Sequence, residues 1–227
     1  MRIKNIFSLT IKFAALVSCG AGLVILSGVL SGRIYPANLV YYTNLSNLAC
    51  LAFYVYVIVR ALRVKDGSGS SPPPFFRGVV LTMLTVTMLV YHYMLATTGF
   101  IMRINEMNFS VRAANYLLHY AAPALCIIDW LVFDNKRSFK PLDPLKWLAV
   151  PFVYFIIVMV RAHFGGAIAG TASKYPYYFL DLDALGMPAV MLNAALFAAG
   201  FAVLGYVFYF IDRFLGKIRF FNKKTNE

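Results

Sequence analysis

The chain has 227 residues, of which 61% are hydrophobic and only 13% charged, too few charges to clothe a water-soluble globule of this length. Its formal net charge of +12 comes with no stacking platform or recognition motif, so no nucleic-acid partner is expected. The composition points instead to an all-α, polytopic integral membrane protein.

Six apolar stretches are long enough to cross a hydrocarbon core of about 30 Å, which takes about 20 helical residues. They run from Phe7 to Val29, Asn38 to Leu62, Gly78 to Ile101, Ala113 to Phe133, Trp147 to Gly166 and Pro188 to Ile211, and are read as one six-helix domain over residues 1–227. In the first, "LVSCG" around Cys19 has the look of a lipoprotein cleavage box behind the basic start "MRIKN". Lys12 interrupts the would-be signal core and the apolar run continues past Cys19, which favours an uncleaved helix. Cys50 and Cys126 also fall in apolar helices without metal spacing, so the three thiols are read as buried packing groups. Between the second and third stretches, "KDGSGSSPPPFFRG" is a linker without chemistry. "DNKRSFKPLDPLKW" is a basic interfacial loop with Trp147 as a headgroup-level anchor. Before the sixth stretch, "GGAIAGTASKYPYYFLDLDALG" is glycine-rich, then aromatic, then acidic, and reads as an outer lid or a segment dipping into the bundle.

The basic residues set the orientation. Arg2, Lys4, Lys12, Arg60, Arg63, Lys65, Arg77, Lys136, Arg137, Lys140, Lys146, Arg213, Lys217, Arg219, Lys223 and Lys224 fall on one side; Arg33, Arg103, Arg112, Arg161 and Lys174 fall on the other. Sixteen against five puts both termini in the cytoplasm by the positive-inside rule, with anionic lipid as a natural contact. The compact loops lean toward a bacterial inner membrane rather than a eukaryotic endomembrane. The oligomeric state is left open.

Polar groups within such helices need partners, and ionisable ones are candidates for function. The second helix carries "YYTNLSN", in which Thr43 lies about 8 Å in from the outer side if the helix starts at Asn38. His119 on the fourth helix lies at a similar depth, and His92 on the third about 13 Å below the outer surface. Arg161 and His163 close the fifth. Thr43 and Asn47 share a helical face, as do Asn115 and His119, so two polar faces meet at one depth. This spacing admits a Thr43 nucleophile with His119 as its general base. Asn44 or Asn47 would serve an oxyanion, and Arg161 a lipid carboxylate. It equally admits plain helix–helix glue, in which Thr, Ser and Asn side chains bond across the interface for of order 1 kcal/mol each. Asp129 stands about 15 Å along the helix from His119, too far for a direct pair, and is read as paired with a tyrosine or as a proton acceptor.

The order "YYTNLSN", "LLHYAAPALCIIDW", "RAHFGG", "KYPYYFLD" resembles that of the androgen-induced membrane threonine hydrolases and their bacterial six-helix relatives. That resemblance implies hydrolysis of fatty acid esters of hydroxy fatty acids by an intramembrane threonine–histidine pair, here Thr43 and His119. It places Tyr175, Pro176 and Asp181 beside the site and calls for no cofactor and no metal. Membrane lipids and a lipid ester would be the partners. The competing readings are a small proton-coupled transporter relaying through His92, His119 and Asp129, and a non-catalytic membrane subunit.

Overall fold

The computed structural model describes residues 3–63, 72–95, 108–169 and 171–218; among them there is no strand. Six helices among the described residues are long and apolar enough to cross a membrane. They are α1 (Ile3–Ser27), α2 (Tyr42–Arg63), α3 (Pro74–Leu95), α4 (Phe109–Phe133), α5 (Asp143–Phe164, with a break at Leu148) and α6 (Met187–Leu215). Their outward faces carry large apolar side chains such as Phe13, Leu48, Val55, Phe152, Leu196 and Phe210, the exterior an integral membrane protein requires.

α1, α2, α3 and α4 pack on one another around a core of Cys19, Cys50, Tyr54, Leu84, Cys126 and Trp130. The three cysteines are free and buried. α6 rests on α3 and on the first turns of α5, and touches the rest of α5 only sparsely, so the two last helices stand apart along most of their length. Two glycines set the close approaches at the foot of this pair. A Cβ on Gly78 would fall 1.9 Å from the Trp147 ring, and one on Gly205 would sit 3.1 Å from Pro144. Trp147 is therefore not a headgroup anchor: it is 3% exposed, wedged among α3, α6 and Phe139.

Helix boundaries differ from the sequence reading where local chemistry intervenes. α1 stops at a left-handed Gly28 (φ 81°), whose missing Cβ makes room for the Arg33 carbonyl. Residues 36–40 form a 3₁₀ turn opened by Pro36, so α2 begins only at Tyr42 and Thr43 lies in its first turn, not five residues in. α3 starts earlier than Gly78, at Pro74, where the missing N–H costs nothing, and this draws Arg77 into the helix. The third stretch beyond Leu95, most of the linker after Arg63 (residues 64–71) and the basic residues Arg2, Lys65, Arg103, Arg219, Lys223 and Lys224 lie outside the described residues, as does the Lys4 side chain.

Arg77 is 1% exposed and belongs to no cytoplasmic loop. Its guanidinium meets Asp129 at 2.6 Å and Asp134 at 2.6 and 3.1 Å, Lys12 closes on the other Asp129 oxygen, and Tyr54 donates to Asp129 at 3.2 Å. Two cations and two anions from α1, α3, α4 and the residue after α4 thus neutralise one another, the condition on which buried charge is tolerated.

Candidate active site

The opposite end of the bundle holds the polar residues of "YYTNLSN". The Thr43 hydroxyl lies 3.3 Å from His119 Nε2, and His119 Nδ1 lies 2.9 Å from the Asn115 carbonyl. A carbonyl can only accept, so Nδ1 carries the ring hydrogen, and in the neutral imidazole Nε2 is left as an acceptor facing Thr43. The hydrogen-bond order is thus Thr43 O–H to Nε2 and Nδ1–H to Asn115, the base-and-orienter arrangement of an activated hydroxyl. Tyr91 stacks on the imidazole with centroids 3.8 Å apart and fixes its plane.

His119 owes its direction to a π-helical turn, Leu117–Ala121, ahead of Pro123. Proline has no N–H and its ring crowds the carbonyl four residues back, here that of His119. The chain widens, and Ala122 N–H bonds back to Leu117. The Leu118 carbonyl is then passed over by Ala122 and meets no N–H at Pro123. Asn47 supplies the missing donor: its amide nitrogen bonds Leu118 O at 3.2 Å and Thr43 O at 2.8 Å. Ser46 also donates to Thr43 O at 2.9 Å and meets Thr87 at 2.9 Å. The polar run on α2 therefore ties the backbone of Thr43 to the distorted turn that carries His119.

The other candidates separate into those near the pair and those that serve the scaffold. Asn47 spends both amide hydrogens on the Thr43 and Leu118 carbonyls, whereas Asn44 spends one on Asn38 O at 2.6 Å and does not line the cavity that Thr43 faces. Asn115 acts through its carbonyl, while its side chain returns to Val111 at 2.9 Å. Arg161 is tied to the loop after α5, its Nη1 holding the carbonyls of Gly166 and Lys174 at 2.7 and 2.8 Å. Asp181 accepts from Ser173 at 2.7 Å and caps the single turn Leu182–Leu185. Tyr175 packs in an apolar cluster with Val158 and Phe179. His92 sits at the exposed face, 3.2 Å from the Tyr120 hydroxyl. His163 is exposed and lines a second, smaller cavity with Lys174 and Asp183. Among the described residues no group of three or more His, Cys, Asp or Glu is placed to hold a metal ion.

One residue of the aromatic stretch does reach the pair, and it is Tyr177. The loop before α6 folds back so that the Tyr177 hydroxyl accepts the Tyr42 N–H at 3.1 Å, satisfying an orphan donor at the start of α2. Burial pushes its pKa up to about 12, against the opposing effect of the adjacent Thr43 hydroxyl and the N–H groups of residues 42 and 43. Its neighbour Tyr154 donates to the Val40 carbonyl at 2.9 Å. Nothing in the spacing of "KYPYYFLD" singles Tyr177 out, since the contact spans 135 residues and depends on how the loop returns.

Thr43 and Tyr177 lie on the wall of a cavity of about 580 Å³ between α3, α5 and α6, lined otherwise mostly by apolar residues such as Val86, Val90, Phe155, Phe179 and Phe201. Phe152, Met191, Ala195 and Ala198 line it too and are exposed on the outside of the molecule. The cavity therefore opens sideways, through the gap between α5 and α6. No family model matches the chain, and no curated protein or solved structure matches it either.

Proposed function

We propose that the protein is an intramembrane lipid-ester hydrolase with Thr43 as nucleophile and His119 as general base, of the kind the resemblance to the androgen-induced threonine hydrolases implies, acting on a fatty acid ester of a hydroxy fatty acid. The observation that carries this reading is the Thr43–His119 pair, its tautomer set by the Asn115 carbonyl, with Thr43 on the wall of a mostly apolar cavity open to the side. An acyl chain lies in the cavity and brings its ester carbonyl to Thr43. His119 Nε2 takes the hydroxyl proton as Oγ1 attacks, and returns it to the departing alkoxide. The acyl-threonine is then cleared by water activated at the same nitrogen. The chain lies in a bacterial inner membrane with both termini in the cytoplasm, as its charge asymmetry favours.

A proton-coupled carrier is the weaker reading. Asp129 is closed by Lys12, Arg77 and Tyr54, and buried Cys50, Ala122 and Cys126 lie in the core on the helices that connect it to the Thr43 end. The test is covalent labelling of the purified protein by a fluorophosphonate probe, with monodispersity in detergent as the check on folding. Wild type is expected to label and both Thr43→Ala and His119→Ala to lose at least nine-tenths of the signal, in line with a nucleophile and base that act as a unit. Labelling of Thr43→Ala at the wild-type level sinks the assignment.

A further inference from the structure

The hydrolase reading leaves one chemical requirement unmet. When Oγ1 of Thr43 bonds to the ester carbon, the carbonyl π pair moves onto oxygen, and that oxyanion needs a hydrogen-bond donor already in position. Of the two side chains on α2 with amide donors, Asn47 gives both hydrogens to backbone carbonyls, and Asn44, which gives one to Asn38 O, does not line the cavity. Ser46 donates to the Thr43 carbonyl.

We propose that the Tyr177 hydroxyl is a further catalytic residue, the donor that stabilises the oxyanion formed at Thr43. The assignment rests on the hydrolase reading. Three features of its placement carry it. Tyr177 lines the same cavity as Thr43. Its oxygen accepts the Tyr42 N–H, which leaves its own hydrogen to donate and, by polarising the oxygen, makes that hydrogen a stronger donor. Its ring is held by a parallel stack on Phe179 at 5.1 Å and an edge contact with Tyr41 at 6.0 Å, so the group is in place before the charge develops, which is what makes such a donor effective. The positive end of the α2 dipole, at Tyr42 and Thr43, favours the same negative charge.

No proton is transferred from Tyr177 in this step. The Thr43 proton goes to His119 Nε2, the C–O bond to Thr43 forms, and collapse of the oxyanion breaks the bond to the leaving alkoxide, which takes the proton from His119. With its pKa pushed up to about 12 by burial, the phenol keeps its hydrogen at neutral pH.

The experiment compares hydrolysis of a long-chain fluorogenic ester by wild type, Thr43→Ala, Tyr177→Phe and variants carrying mono- and difluorotyrosine at 177, all in the same detergent. Thr43-dependent turnover in wild type is the control that separates the two readings: without it the hydrolase reading fails and this assignment with it. With it, Tyr177→Phe is expected to lower kcat about 10²- to 10³-fold, the cost of one oxyanion donor, with KM changed less than about threefold. The fluorotyrosines keep the oxygen that caps α2 and lower the phenol pKa, and they are expected to bring in an alkaline limb of kcat that moves down with each fluorine. A Tyr177→Phe enzyme within threefold of wild type, or fluorotyrosine enzymes whose pH profiles coincide with wild type, overturns the assignment and leaves Tyr177 as a helix cap.

Discussion

Asn47 meets two carbonyls at once, one on its own helix and one on α4, and both acceptors dictate that the amide nitrogen, not the oxygen, faces them. Replacing it by leucine would leave the Leu118 carbonyl buried without a donor, at a cost of about 1–3 kcal/mol. It would also release Thr43 from the turn that carries His119. The expected outcome for Asn47→Leu is a lower thermal unfolding midpoint in detergent together with a loss of turnover larger than the loss of folded protein. Turnover that merely follows the folded fraction would show that Asn47 supports the fold and not the pair. The same residue shows what spacing can reveal. Thr43, Asn47, Asn115 and His119 were identifiable because each pair is one helical turn apart and the two faces stand at one depth. The direction of each amide was not, because it depends on which backbone carbonyl a neighbouring helix leaves unpaired.

At the scale of the helix, the π turn in α4 is the feature that aims His119. A 3.6-residue periodicity has no place for it, and only Pro123 hints at it, since proline inside a helix obliges the previous turn to yield. Pro123→Ala restores an N–H and removes the ring, so α4 is expected to tighten into regular α-helix. Proline in a helix interior costs about 3 kcal/mol, so the variant should unfold at a higher temperature than wild type. On the hydrolase reading it should also hydrolyse ester about 100-fold more slowly, the effect of displacing a catalytic group by an ångström. Greater stability with undiminished turnover would mean that the pair tolerates a straight α4. Arg77 gives the complementary lesson. After a proline run it reads as a loop cation, and what lets it be buried is a pair of carboxylates, Asp129 and Asp134, more than fifty positions away.

Across the whole molecule the two ends divide the labour. At one end Lys12, Arg77, Asp129 and Asp134 lock α1, α3 and α4; at the other, α5 and α6 stand apart over the cavity. Six helices were legible from length and apolarity alone. The gap between the last two was not, since it reflects how sparsely α5 and α6 touch beyond their Pro144–Gly205 contact. If the gap is the way in, filling it should discriminate by substrate. Ala195→Phe, at an exposed position on the cavity wall, is expected to raise KM for a long-chain ester about tenfold, equivalent to about 1.4 kcal/mol, and to leave hydrolysis of a short water-soluble ester within about twofold. Equal effects on both esters would place the route elsewhere.

The sideways mouth also determines which concentration matters. With the chain seated in a bilayer, as proposed, a ligand reaches the cavity from the hydrocarbon and not from water, so occupancy follows its mole fraction among the lipids. Each methylene adds about 0.8 kcal/mol to partitioning into that phase, so a longer ester would look like a better substrate in bulk units even if the cavity gripped it no more tightly. Detergent tails share the same phase and would compete for the same opening. On the hydrolase reading, apparent KM in bulk units should therefore rise in proportion to the detergent concentration, and the constants are meaningful only as surface ratios.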